Sequence, residues 1–281
     1  METFSIADAR PARTAGAPAP VRRALLRLHR ANPALYYTGW LNVALAALAL
    51  TLLPFDHRVV TGLAVWFKPL KFSFSIIAYA WTLGWLLATL PAPAQPGVRR
   101  LSGGIALSMA VEQAVIFAQA ARGTTSHYNT ASALDGALFG LMGWFILVNA
   151  LMTFWALYLA WRYRPQGAAG YVWGLRLGLL VFVAGSLLGG VMIRLNQHTV
   201  GAPDGGPGLP GLGWSTRAGD LRAAHFLGMH ALQAIPLLGW ALSRWVPRRA
   251  AALTWAGAAL YATAVAGLLA LALAGRPLWA R

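Results

Sequence analysis

The sequence of 281 residues contains no cysteine. Structural disulfides, thiolate metal ligands and cysteine redox chemistry are therefore excluded, and any redox role requires a bound cofactor. Lysine is nearly absent as well, because Lys68 and Lys71 are the only two. Neither lies in the last apolar segment, which excludes a retinal Schiff base on that helix. Acidic residues are also scarce, with seven Asp and Glu against 23 Lys and Arg.

Apolar residues, in contrast, dominate the chain. Hydrophobic residues make up 58%, charged residues only 11%, and the mean hydropathy is +0.56 with 13 Trp. These values are typical of a bundle of membrane-spanning helices. A net charge of +16 would suggest nucleic acid as a partner of a soluble protein, but most arginines fall between apolar segments. We therefore expect the lipid bilayer, and not nucleic acid, to be the partner of this surface.

The order of apolar segments predicts an all-α integral membrane protein with a single bundle of seven transmembrane helices over residues 31–281. Residues 1–30 are basic and rich in Ala and Pro, and are expected to form a disordered cytoplasmic tail that leads into a short basic helix over 21–30. The apolar part of 59–67 is too short to span and is predicted to be interfacial or re-entrant, and 91–100 is predicted to be a loop. The predicted spans cover residues 36–53, 70–90, 101–121, 138–161, 171–193, 221–242 and 251–274.

Small residues within two spans predict close helix packing. Gly174 with Gly178 and Gly185 with Gly189 form small-xxx-small pairs in the fifth span. Closely spaced glycines at the start of the fourth span and just before it, at positions 136, 140 and 143, are expected to pack in the same way.

Basic residues in the short loops orient the bundle. The loops that carry them all fall on one side of the membrane, which is predicted to be the cytoplasmic side. The N-terminus is therefore predicted to be cytoplasmic and the C-terminus outside. Low Lys with high Arg and Ala suggests a GC-rich bacterial source, so the expected location is the plasma (inner) membrane. This topology places His57, His127, His198 and His225 at the outer face, with His230 about 7 Å deeper than His225.

The stretch 219–233, GDLRAAHFLGMHALQ, places polar side chains at the mouth of an apolar helix. Arg222, His225 and Gln233 share an arc of roughly 80° with Met229, and His230 flanks it. Polar side chains at membrane depth usually face a bundle interior or a wet cavity. The sequence thus predicts a polar cavity that opens outward.

Other spans and loops are expected to add residues to this cavity. Glu112 lies near the middle of the third span, where a carboxylate costs a few kcal/mol unless it is paired, protonated or wet. Arg122, His127 and Asn129 lie in the loop that follows, and His198 precedes a Gly- and Pro-rich loop that we expect to act as a lid. Lys68 and Lys71 are interpreted as head-group anchors, with the alternative that one meets an anionic substrate or a buried carboxylate.

The predicted roles follow from the chemistry of these side chains. His127, His198, His225 and His230 are the candidate ligands of a transition metal (Zn, Cu or Fe) or haem, with Met229 as another possible axial ligand. Glu112 and His230 are the candidate catalytic groups. The candidate substrate-binding residues are Arg122, Arg222, Asn129 and Gln233. No H-E-x-x-H, EF-hand or cysteine-pair motif supports a particular metal.

Three functions remain open from the sequence. The leading one is a membrane protein whose outward-facing cavity binds a metal or haem and acts on a small or lipid-borne substrate. The first alternative is a proton-coupled transporter of a small, possibly anionic solute in which Glu112 is the titrating group. The second is a non-catalytic assembly factor. The sequence does not decide whether the protein is an enzyme.

Overall fold

The structure, a computed structural model, describes residues 20–279 and shows an all-α membrane protein in this range. Of its eight α-helices, seven are long and apolar enough to cross a membrane, which confirms the predicted class. The helices are α1 (Pro20–Ala31), α2 (Pro33–Leu52), α3 (Phe67–Leu87), α4 (Gln95–Ala121), α5 (Ala133–Arg162), α6 (Ala169–Leu195), α7 (Leu221–Trp245) and α8 (Ala250–Leu273). Two short antiparallel hairpins complete the fold, with strands β1 (Val59–Val60), β2 (Leu63–Ala64), β3 (Thr199–Val200) and β4 (Gly219–Asp220).

The predicted spans correspond to these helices, and the clear differences are at two N-terminal ends, where α5 begins at Ala133 instead of residue 138 and α4 begins well before residue 101. This helix begins at Gln95, so residues 95–100 of the predicted loop are helical. Pro96 is tolerated there because backbone N–H groups in the first turn have no acceptor within the helix, so the N–H that proline lacks is not needed. The basic helix predicted over 21–30 is confirmed by α1, whereas the predicted disorder of residues 1–19 lies outside the described residues.

The segment 59–67, predicted to be interfacial or re-entrant, forms a short hairpin over 59–64 and then leads into α3. Val60 pairs with Leu63 across a turn in which Thr61 has φ 49° and Gly62 has φ 81°. Two successive residues with positive φ match the twist of a two-residue hairpin turn. The chain therefore turns back at the bundle surface, and α3 starts at Phe67.

The seven spanning helices divide into two groups. Helices α2–α5 pack around one another, α6–α8 form the second group, and the groups meet where α3 contacts α7 and α5 contacts α6. The connections 53–66, 122–132 and 196–220 lie together at one end of the bundle, which we name the histidine face; there Arg58 bonds the carbonyl of Ala121 and Lys71 bonds that of Leu212. The opposite end, with α1 and the connections 88–94, 163–168 and 246–249, is named the arginine face.

Glycine allows α6 and α7 to approach backbone to backbone. A Cβ placed on Gly185 would lie 2.6 Å from the Cα of Gly228, and one on Gly174 would lie 2.8 Å from the carbonyl oxygen of Ile235. This confirms the close packing predicted for the fifth span. The same prediction for Gly136, Gly140 and Gly143 is wrong, because within the described chain nothing lies within 4 Å of a Cβ at those positions.

Candidate functional site

His127 lies between a lysine and a buried carboxylate at the histidine face. Its Nε2 is 3.5 Å from Oε1 of Glu112, and its Nδ1 is 3.2 Å from Nζ of Lys68. The ammonium group of Lys68 only donates hydrogen bonds, so Nδ1 is the acceptor and Nε2 carries the ring proton toward Glu112. Ser126 also places its hydroxyl 3.1 Å from Nδ1. The order Lys68, His127, Glu112 is therefore a continuous polar chain from α3 through a loop to α4.

Glu112 forms the inner end of this chain. It lies about 14 Å from the end of α4, at a rise of about 1.5 Å per residue, and its side chain is 3% exposed. Its Oε2 has no hydrogen-bond partner among residues 20–279. A buried carboxylate oxygen without a hydrogen-bond partner raises the free energy of the folded protein. A proton or a polar ligand group therefore binds most favourably at this atom.

A second imidazole–carboxylate pair lies beside the first. Nδ1 of His198 is 2.9 Å from Oδ2 of Asp204, and Asp204 also accepts the backbone N–H of His198 and of Thr199. The ring of Tyr128 stands between the two histidines, with centroid distances of 6.1 Å to His127 and 5.6 Å to His198. Tyr128 itself has φ 56°, a conformation that non-glycine residues rarely adopt, so this loop is held in a specific shape.

Arg222 fixes the connection 196–220 over this cluster. Its guanidinium makes two hydrogen bonds to Asp220, at 2.9 and 2.6 Å, and a third of 2.6 Å to the carbonyl of Gly213. Lys71 donates to the carbonyl of the neighbouring Leu212 at 3.5 Å. The predicted lid segment thus lies over the start of α3, held by two cations.

Burial and neighbouring charge keep both imidazoles neutral. Burial lowers the pKa of His127 well below its usual value, and the charge of Lys68 lowers it further. The pKa of His198 is lowered by burial and then by Arg222. Burial raises the pKa of Tyr128 to about 12, with the charge of Asp204 acting in the same direction. At neutral pH the histidines therefore accept and pass hydrogen bonds as neutral rings.

The polar side chains deeper in α7 make their contacts away from His127. Nδ1 of His225 is 2.9 Å from the carbonyl of Gly185, so this ring faces α6. His230 packs edge-on against Phe226 at 4.3 Å between centroids. Gln233 donates to the carbonyl of Ala78 on α3 at 3.3 Å. Helix α7 therefore brings Arg222 to the cluster but directs its deeper polar residues to helix contacts.

Arg122 and Asn129 shape the loop that carries His127. Arg122 donates to Oδ1 of Asp135 at 2.6 Å, and to Gln119. Asn129 donates to the carbonyl of Thr125 at 3.0 Å. Both side chains therefore link the loop to itself and to the ends of α4 and α5, and they position His127.

The predicted metal ligands do not converge on one point. Within residues 20–279 no group of three or more His, Asp and Glu side chains is arranged to hold a metal ion. His127 and His198 each have one carboxylate partner, and His225 and His230 face elsewhere.

The cluster also contains residues that were not predicted from the sequence as site residues, namely Lys68, Tyr128 and Asp204. Lys68 contacts Nδ1 of His127 and not a carboxylate, so its role as a partner of a buried carboxylate stays a prediction. Tyr128 was overlooked although it follows His127. Asp204 lies in a Gly- and Pro-rich loop whose path cannot be inferred from sequence.

No protein-family model, no curated protein and no solved structure matches this chain. The chemistry of the cluster is therefore the basis for interpreting its function. It combines a buried carboxylate, two neutral imidazoles and the cations Lys68, Lys71 and Arg222, and this set suits proton transfer beside an anion-binding surface.

Proposed function

We propose that the protein is a proton-coupled transporter of a small anionic solute, with Glu112 and His127 as the proton-carrying groups. The observation that carries this proposal is the position of His127 between Lys68 and Glu112, at 3.2 and 3.5 Å. A neutral imidazole that accepts on one nitrogen and donates from the other is suited to relay a proton between the histidine face and a carboxylate inside the bundle.

The charge of Lys68 couples proton binding at Glu112 to the binding of an anion. With Glu112 ionised, its negative charge compensates the cation of Lys68. A proton on Glu112 removes that compensation, so Lys68 then attracts an anion, together with Lys71 nearby. Proton binding and anion binding are thereby mutually favourable, and linkage requires that each strengthens the other by the same factor.

The location of the cluster also supports transport. Lys68, Glu112 and His127 belong to the α2–α5 group, whereas Arg222 begins α7 in the other group. Many secondary transporters work by rocking one helix group against another around a site between them. A cluster that bridges the two groups is in the place where such a motion would open or close it.

The decisive test is anion flux in proteoliposomes with and without a pH gradient, using a panel of small anions. Wild-type flux is expected to increase with an inward proton gradient, and Glu112→Gln is expected to lower the gradient-driven part at least about tenfold, which corresponds to about 1.4 kcal/mol. Asp56→Asn is the matched control, because it removes a carboxylate of the same face outside the cluster. Gradient-driven flux that persists in Glu112→Gln would refute the proposal.

A metal- or haem-dependent enzyme acting on a small or lipid-borne substrate remains the second candidate. The observation in its favour is the pair of imidazole–carboxylate contacts joined by Tyr128, His127 with Glu112 and His198 with Asp204. Elemental analysis of protein purified without a metal-binding tag tests it. Zn, Cu or Fe near one per chain that is lost in His127→Ala and His198→Ala would replace the transport proposal.

A further inference from the structure

Helix α1 lies against the bundle at the arginine face with its charged side outward. Leu28 is buried, directly over Gly84 of α3, whereas Arg22, Arg23, Arg27 and Arg30 are exposed. A short helix with an apolar strip inward and arginines outward is typical of segments that lie in the membrane interface. Its residues therefore have access to lipid head groups.

Two of these arginines form a recess with a tryptophan. Arg23 and Arg27 are one helical turn apart, and with Ala24 and Trp85 they line a recess of about 250 Å³. Trp85 lies near the end of α3 and is 49% exposed, and its ring packs edge-on against Tyr171 at 6.4 Å. The recess thus has two guanidinium groups on one side and an aromatic wall on the other.

The surrounding charge favours an anion at this place. The acidic side chains of residues 20–279 lie at or toward the histidine face, and they are Asp56, Glu112, Asp135, Asp204 and Asp220. At the same face of the bundle, α4 contributes Arg99 and Arg100 in its second turn. The two guanidinium groups of the recess therefore have no carboxylate partner within the described chain, and none appears among its ion pairs.

We infer that Arg23, Arg27 and Trp85 form a binding site for the phosphate of an anionic phospholipid. Guanidinium groups bind phosphate oxygens bidentately, and basic recesses beside transmembrane helices on the cytoplasmic side are known to take anionic head groups. A lipid, and not free phosphate, suits the site because tryptophan prefers the head-group level, where its apolar ring lies along the glycerol region. Leu26 on the same helix is 40% exposed and is available to the acyl chains.

Native mass spectrometry of delipidated full-length protein tests this inference. Phosphatidylglycerol and phosphatidylcholine with identical acyl chains are titrated separately, and wild type is expected to retain one phosphatidylglycerol in preference. The double variant Arg23→Gln with Arg27→Gln is expected to bind phosphatidylglycerol about 30-fold more weakly, from roughly fivefold for each arginine near a membrane surface. Trp85→Leu, which leaves the charge unchanged, is expected to weaken the same binding several-fold.

Matched controls separate a defined site from diffuse charge and from free phosphate. Arg22→Gln with Arg30→Gln removes the same charge from the same helix outside the recess, and is expected to retain the bound lipid. An equal loss in both double variants would overturn the inference, because only the net charge would then matter. Complete displacement of phosphatidylglycerol by millimolar inorganic phosphate would also overturn it, since the ligand would be the free anion. Thermal unfolding midpoints of all variants, measured alongside, confirm that each is folded.

Discussion

His127 has different partners on its two ring nitrogens, and this explains why it is neutral. Lys68 approaches Nδ1, and Nε2 lies 3.5 Å from Oε1 of Glu112. A second proton would place an imidazolium beside an ammonium group in a partly buried site, which burial and repulsion both oppose. The ring is therefore fixed in one tautomer, and proton movement through it requires Lys68 or Glu112 to change state.

This argument predicts that acidification destabilises the protein through His127. The folded-state pKa is lowered, so between that value and the ordinary value near 6.5 the unfolded chain binds more protons and stability falls as pH falls. The loss is at most about 1.4 kcal/mol per pH unit for one group. Thermal unfolding in detergent at pH 7.5 and 5.5 should show a smaller difference for His127→Gln than for wild type.

His198 provides the internal comparison for that experiment. Its pKa is lowered in the same direction, so His198→Gln should also reduce the pH dependence and the double variant should reduce it further. Equal pH dependence in wild type and in His127→Gln would contradict the assignment of a buried neutral imidazole.

At the level of residues, the sequence identifies side chains that are costly in a membrane but does not identify their partners. A glutamate in the middle of an apolar span is detectable because its cost in a membrane is independent of the fold. The pairing of Glu112 with His127 required the tertiary structure, since a loop histidine is normally solvated. His225 was assigned to the cavity because it shares a helical arc with Arg222, but its ring faces α6, where Nδ1 lies 2.9 Å from the carbonyl oxygen of Gly185.

At the level of helices, apolar length predicted the spans well because the bilayer requires a nearly fixed number of apolar residues. Features that depend on backbone conformation could not be predicted from the apolar pattern. The hairpin at 59–64 depends on two positive φ values at Thr61 and Gly62, and its residues had suggested only a short apolar segment. Glycine spacing predicted close packing in both α5 and α6, but spacing does not reveal whether a helix face meets protein or lipid.

Gly185 and Gly190 of α6 have different surroundings, which predicts different outcomes when each is replaced by alanine. Gly185→Ala places a methyl group 2.6 Å from the Cα of Gly228, so α6 and α7 must separate, and we expect a loss of roughly 1–3 kcal/mol as for other overpacked cores. Gly190→Ala on the same helix meets nothing within 4 Å. It should be neutral or stabilising by up to about 1 kcal/mol, from helix propensity.

Chemical or thermal unfolding of the two α6 variants, compared with wild type, measures this difference. A Gly185→Ala protein as stable as Gly190→Ala would mean that α6 and α7 are not in backbone contact. The experiment also bears on the site, because the carbonyl of Gly185 is the partner of His225.

For the whole molecule, the two faces differ in chemistry. The histidine face carries the carboxylates and the cluster of Lys68, His127 and Arg222, whereas the arginine face carries α1 and basic connections. Arginine-rich short loops stay on the cytoplasmic side during insertion, so this asymmetry predicts which face is outside. The sequence predicted the asymmetry, and the structure adds that the polar side chains of the histidine face are gathered where the two helix groups meet.

Single-cysteine labelling in intact cells tests this orientation, and the cysteine-free chain requires no background substitutions. Thr130→Cys in the 122–132 connection should react with a membrane-impermeant maleimide from outside. Gln166→Cys in the 163–168 connection should react only after lysis, and both side chains are exposed in the structure. The reverse pattern would place the cluster on the cytoplasmic side. The proposed coupling at Glu112 would still move proton and anion in the same direction, because the gradients set the direction of net flux, and only the face from which both ligands first reach the cluster would change.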